Sequence, residues 1–147
     1  MRCNTGIPPK MLLDQHLIAE YRELLIPFGQ LRSLNFKSPP IPKNLKLGKG
    51  HILFWRDKQL YLKRRHEALV KEMRERGFSP NYSFWDTNEI PEIYLNDWVP
   101  SFEDSLLLRK RIIEKVHMKP LWYRMRKENL IDFNKYCSDL FNSEVIF

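Results

Sequence analysis

No stretch of eighteen apolar residues occurs in this 147-residue chain, so the sequence offers no membrane-spanning helix. The first fifteen residues contain Pro8, Pro9 and Asp14 but no apolar signal core, and the protein is expected to be soluble, intracellular and cytoplasmic, with no membrane partner. Glycine is scarce, at five residues, and no Gly-x-Gly-x-x-Gly, P-loop or Gly-x-Ser-x-Gly elbow can be assembled. This removes the usual signatures of dinucleotide binding, triphosphate hydrolysis and serine hydrolysis. Only two cysteines are present, Cys3 and Cys137, at opposite ends of the chain and in no paired ligand spacing. They fit a reducing compartment, although a bridge between them stays open. The four histidines are scattered, so neither a metal nor a cofactor is expected. The nearest thing to a metal site is the carboxylate pair Glu20 and Glu23, which could hold magnesium.

Charge, by contrast, is plentiful and uneven. The net charge is +7, yet residues 1–127 hold 24 Lys/Arg against 14 Asp/Glu, while the last twenty residues hold 1 against 4. A surplus of ten cations favours DNA, RNA or an anionic membrane through counterion release, without choosing among them.

One domain is expected at this length, with an all-α fold of three main helices, long irregular loops and a possible short fourth helix. The first helix is predicted over 10–25, stopped by Pro27 and Gly29. Leu13, Leu17, Tyr21 and Leu24 form its apolar stripe, and Gln15, Ala19, Arg22 and Glu23 fall on another, polar side. Proline and glycine make 35–50 a long surface loop. Asp57 is expected to cap a second helix reaching Arg76, with Gly77 as its left-handed stop. Leu62, Leu69, Val70 and Met73 mark its core side, and Lys63, Arg64, Arg65 and Lys71 its basic outer surface. After an irregular stretch over 78–100, Ser101 and Asp104 form a capping box for a third helix that packs through Leu107, Leu108, Ile112 and Val116. Arg111 and Lys115 lie one turn apart on its exposed side. Pro120 precedes Trp122-Tyr123-Arg124, and 129–142 can add the fourth helix.

The string Asp14-Gln15-His16-Leu17-Ile18-Ala19-Glu20-Tyr21-Arg22-Glu23-Leu24 resembles the first helix of the pyrimidine-dimer DNA glycosylase and abasic-site lyase family, of the phage endonuclease V type. The resemblance extends over about residues 1–126, through Leu47-Gly48-Lys49-Gly50-His51, Arg76-Gly77-Phe78 and Pro120 with Trp122-Tyr123. It leaves 127–147 as an acidic C-terminal extension that could shield the basic face, dock on the core or bind a partner.

Such an enzyme needs an amine to attack C1′ of the sugar and a carboxylate to stabilise the developing cation. The resemblance implies that the amine is the chain's own N-terminus and the carboxylate Glu23. An α-amine, with a pKa of about 7.7–8.0, is partly unprotonated near neutrality, unlike an ordinary lysine. Family members typically begin Met-Thr-Arg-Ile-Asn and lose the methionine. Here Met1-Arg2-Cys3-Asn4 stands instead, and the large Arg2 implies that Met1 is retained as the nucleophile. Arg2, Arg22, Arg111 and Lys115 match family cations that hold phosphates, and Ile26 replaces a further arginine. Gln15 and His16 match positions beside the active site, and Trp122, Tyr123 and Arg124 match a recognition segment. The implied partner is double-stranded DNA containing pyrimidine dimers or abasic sites, bound by a monomer without a cofactor.

The residues alone leave blander roles open. Glu23 can simply pair with a neighbouring arginine, His16 can hydrogen-bond on a helix face, and Trp122 with Tyr123 can anchor a core. Arg111 and Lys115 can be solvated charges. Two other functions also remain: a non-catalytic relative that binds distorted or modified DNA, and a glycosylase and lyase for another damaged base.

Overall fold

The computed structural model describes residues 2–146 and is all-α apart from one small hairpin. Its helices are α1 (Asp14–Glu23), α2 (Ile26–Ser33), α3 (His51–Trp55), α4 (Gln59–Glu75), α5 (Phe102–Met118) and α6 (Phe133–Asn142). Strands β1 (Arg124–Met125) and β2 (Glu128–Asn129) pair antiparallel, Arg124 opposite Asn129 and Met125 opposite Glu128. Arg126 and Lys127 make the turn between them at φ 51° and 68°.

The first helix is shorter than its periodicity suggests. A single 3-10 turn covers Pro9–Met11, Leu13 is extended, and α1 begins only at Asp14. The break lets the Asp14 carboxylate face inward, where it accepts from Arg76 at 2.8 Å and from the backbone N–H groups of Arg126 and Lys127 at 3.1 and 2.7 Å. The predicted stripe is otherwise sound, since Leu13, Leu17, Tyr21 and Leu24 are all buried. Pro27 does not terminate helical structure as expected. It stands in the first turn of α2, where its missing N–H has no partner to lose, and Gly29 also lies inside α2; α1 ends at Glu23, with Leu24 and Leu25 between the two helices in αR backbone.

Residues 37–46 contain no helix or strand, as the prolines require. Asp57 does not cap α4; its carboxylate takes the Lys58 ammonium at 2.6 Å, and Lys58 occupies the cap position. Gly77 ends the helix at φ 80° as predicted. Arg65 is a further correction, because it turns inward from the basic face of α4 and is 4% exposed. The predicted capping box of α5 is present, and Leu108, Ile112 and Val116 are buried, whereas Leu107 is exposed.

One core joins α1, α4, α5 and α6, with Leu17, Trp55, Leu62, Leu69, Leu108 and Leu140 all fully buried. A smaller cluster of Phe28, Leu31, Ile90 and Tyr94 packs α2 under the 85–95 segment. The acidic tail docks on the body: the Ile146 N–H donates to Gly6 at 3.1 Å, and the Tyr136 hydroxyl to the Met11 carbonyl at 2.9 Å. Arg109 secures it by donating to the carbonyls of Leu140, Ser143 and Glu144 at 3.0, 3.1 and 2.8 Å. Both cysteines are free thiols, Cys3 deep in the core and Cys137 half-buried. Among the described residues, no helix is long and apolar enough to cross a membrane.

Candidate active site

The extended N-terminal segment runs across α1 and brings Arg2 to Glu23, whose carboxylate accepts from the guanidinium at 2.7 Å. Its path is set one turn earlier. Asn4 is buried and donates to Glu20 at 2.9 Å, and Thr5 shares a short hydrogen bond with the Tyr61 hydroxyl. Arg65 grips the same Glu20 carboxylate at 2.8 and 3.2 Å and also donates to the Ile7 carbonyl at 2.6 Å. Both Glu20 oxygens are therefore committed to protein donors, and the suggested magnesium pair with Glu23 does not form. Among the described residues, no group of three or more His, Cys, Asp or Glu is disposed to hold a metal ion.

Helix α5 supplies Arg111 and Lys115, which are half-buried toward α1 rather than solvated on an outer face. They line a small hollow with Arg2, Asn4, His16 and Ile112. The crowding shows in the titration of its members. Burial, with Arg111 and Arg2 close by, lowers the Lys115 pKa, and Glu23 pulls the other way. Burial and the neighbouring Arg2 likewise lower Arg111, again opposed by Glu23. His16, 4% exposed, is pushed down to about 4 by burial and by Arg2, Lys115 and Arg111, and so is neutral at physiological pH. Neither of its ring nitrogens has a hydrogen-bond partner among the described residues. Its ring instead lies 4.8 Å from that of Tyr123, tilted by 37°.

The aromatic pair divides. Tyr123 is buried on His16, while Trp122 is 58% exposed and meets Tyr123 edge-on at 5.1 Å. Gln15 fixes this segment with both ends of its amide, donating to the Trp122 carbonyl at 2.7 Å and accepting from the Arg124 N–H at 3.0 Å. Gln15 thus positions the loop that presents Trp122 and the exposed Arg124. Arg22 lies apart from the α5 cations. It borders a separate hollow of about 180 Å³ between α1 and the 78–82 segment, with Tyr21 and Tyr82. The Ile26 side chain is exposed at the start of α2.

The site thus gathers Arg2, Glu23, His16, Arg111 and Lys115, with Trp122 and Arg124 along its margin. Met1 lies outside the described residues. The framework beneath the site, Glu20, Asn4 and Arg65, was not identified as such from sequence. The available signal was a carboxylate at Glu20, three residues after Leu17 and four before Leu24, in the middle of the apolar stripe. An acid there needs a buried partner.

A family model described as pyrimidine dimer DNA glycosylase matches residues 2–86. That span includes Arg2, α1 and α4, whereas Arg111, Lys115 and Trp122 fall beyond it.

Proposed function

The chain belongs to the pyrimidine dimer DNA glycosylase family, and from that premise we propose that it excises the 5′ base of a cyclobutane pyrimidine dimer and nicks the resulting abasic site. The observation that carries the reading is the Glu23 carboxylate, held beside Arg2 in the N-terminal segment and within the influence of Arg111 and Lys115.

In this mechanism the Met1 amine attacks C1′ of the damaged nucleotide. The N–C1′ bond forms, the glycosidic bond breaks, and the base departs with its electron pair. Loss of the amine proton and opening of the sugar ring leave an imine. Glu23 stabilises the cationic character at C1′ and assists these proton transfers. Removal of a C2′ proton then expels the 3′ phosphate by β-elimination, and water releases the amine. No step requires a metal or a cofactor.

Binding follows from the charges and rings. Arg2, Arg22, Arg111, Lys115 and Arg124 hold phosphates of the kinked strand. Neutral His16 and buried Tyr123 form the floor of the site, and Gln15 locks the recognition loop. Trp122 stacks at the opened helix, where each base contact is worth roughly 1–3 kcal/mol. The base opposite the lesion is drawn out of the stack, as the family resemblance implies, and kinking exposes C1′ to the amine. Residues 1–126 form the catalytic unit, 127–147 an extension docked on it, and the protein acts as a monomer.

The test is strand cleavage in EDTA on three duplexes: one with a thymine dimer, one with an abasic site and one undamaged. Cleavage of the first two alone supports the proposal. Cleavage of abasic DNA with an inert dimer points to another damaged base, and tight lesion binding without any cleavage points to a non-catalytic relative. Complete dependence on magnesium overturns the mechanism.

A further inference from the structure

Helix α5 ends at Met118, and a tight turn over 119–122 carries the chain back toward α1. The Trp122 N–H donates to the Lys119 carbonyl at 3.2 Å, so Pro120 and Leu121 are the two central residues of the turn. The Pro120 ring locks φ at the first of them. Turn apices ordinarily take Gly, Asn, Asp or Ser for backbone reasons. Here the apex carries Leu121, 93% exposed, with exposed Met118 and Trp122 close by in sequence. Three large apolar side chains within five residues therefore face water.

The tip is apolar and its mount is rigid. Gln15 holds the Trp122 carbonyl at 2.7 Å and the Arg124 N–H at 3.0 Å, and the neighbouring Asp14 holds the N–H groups of Arg126 and Lys127. Asp14 is in turn paired with buried Arg76 at 2.8 Å. Two consecutive side chains of α1 thus fix four main-chain groups at and beyond the end of the turn. Its place in the molecule is equally defined. Lys115, ahead of the turn, lines the hollow with Arg2 and His16, and Tyr123, just after it, lies on the His16 ring. The turn therefore stands at the edge of the Glu23 site. From Lys115 to Lys127 the chain has five cations and no acid, and Lys119 and Arg124, on either side of the tip, are exposed.

An exposed apolar tip on a rigid support, flanked by cations, suits a partner that is anionic outside and apolar within. Duplex DNA, the substrate class of the family, is such a partner, with charged phosphates around stacked bases. We propose that the Pro120–Leu121 turn is a wedge: Leu121 enters the base stack of lesion-bearing DNA beside the Glu23 site, while Lys119 and Arg124 rest on the flanking phosphates. Insertion partly unstacks one base step and bends the duplex. Burial of the leucine offsets that cost, and because the mount is already ordered, little freedom is lost on binding. The inference rests on the reading of a lesion-specific DNA enzyme and assigns to it the residue that holds the duplex bent.

The experiment measures bending by energy transfer between dyes at the two ends of a short duplex carrying a tetrahydrofuran abasic-site analogue, which forms no imine and so is not cleaved. The full chain is compared with Leu121→Ser, Leu121→Met and the control Ile93→Ser, which removes another exposed apolar side chain, far along the chain in the 85–95 segment. The wild-type protein should bend the duplex. Leu121→Ser should bind it about tenfold more weakly, bend it less and keep the same dependence of affinity on salt, since no charge is removed. Leu121→Met and Ile93→Ser should match wild type, and undamaged duplex should be bound equally by all the proteins. A duplex left straight by wild type, equal bending and affinity in Leu121→Ser, or the same losses in Ile93→Ser overturns the wedge. So does binding to phosphatidylserine vesicles that Leu121→Ser abolishes while DNA bending is unchanged, which would make the tip a membrane contact. If DNA is bent through Leu121 but no dimer is excised, the catalytic reading fails and the wedge stands. If dimers are excised while Leu121→Ser bends DNA as wild type does, the wedge alone fails.

Discussion

Two glutamates three residues apart on α1 have opposite surroundings. Glu20 is fully buried, and its oxygens are taken by Arg65 and Asn4. The Glu23 side chain is 27% exposed, meets the more accessible Arg2, and lies within the influence of Arg111 and Lys115. Burial makes the first a brace. A saturated carboxylate in the interior cannot approach a substrate, and losing its partner strands a charge. Partial exposure amid surplus cations suits the second to a polyanion and to charge that develops during a reaction. The same helix turn thus separates stability from chemistry by about 60° around the helix axis, enough to carry a side chain from core to rim.

The comparison breaks most readily at Glu23. Glu23→Gln should lower glycosylase activity by at least about 10²–10⁴-fold, with lesion binding retained and the thermal midpoint unchanged. An unfolded variant would make Glu23 a brace as well. The opposite pattern is expected for Arg65→Met, which strands Glu20 and should cost about 3–5 kcal/mol in denaturant unfolding. A stability close to wild type would show that Glu20 is not a structural carboxylate.

His16 sharpens the comparison from the side of the cations. Because its folded pKa lies near 4, below the ordinary 6.5, folding favours the neutral ring. Its stabilising contribution is complete above pH 6.5 and falls away as pH drops toward 4, by on the order of 3 kcal/mol. Titration of the His16 ring protons by NMR checks this directly, and an apparent pKa near 6.5 would mean that neither burial nor Arg2, Lys115 and Arg111 bear on it.

Smaller effects belong to the recognition loop. Trp122→Ala should weaken dimer binding by about 1–3 kcal/mol and undamaged duplex by less, whereas equal losses count against lesion recognition. Gln15→Ala frees the same loop without touching the ring and should cost about 1 kcal/mol of dimer affinity, read in the same binding assay.

Periodicity made the α1 stripe, the α4 and α5 cores and the Ser101 capping box legible, since each is a local pattern of apolar spacing or hydrogen-bonding side chains. Gly77 as a helix stop was equally local. Non-local pairings were not. The inward turn of Arg65 depends on Glu20, 45 residues away, and the late start of α1 depends on Asp14 meeting Arg76 and the 126–127 turn. The first helix does end ahead of Pro27, at Glu23, but a proline that ends one helix and a proline that opens the next look alike in sequence, so α2 with Pro27 in its first turn is not legible there. Within the site, the string around Glu23 stood out by its resemblance. The division between buried Tyr123 and exposed Trp122, and the clamp by Gln15 across 107 residues, required the fold.

The central claim is imine chemistry at the chain's own N-terminus. Borohydride trapping on thymine-dimer and abasic duplexes, followed by mass spectrometry of the cross-linked peptide, tests it most directly. The account predicts a covalent adduct on the Met1 amine with both substrates. No adduct on either, from folded protein with an intact and unblocked N-terminus, or an adduct at a lysine, would contradict it.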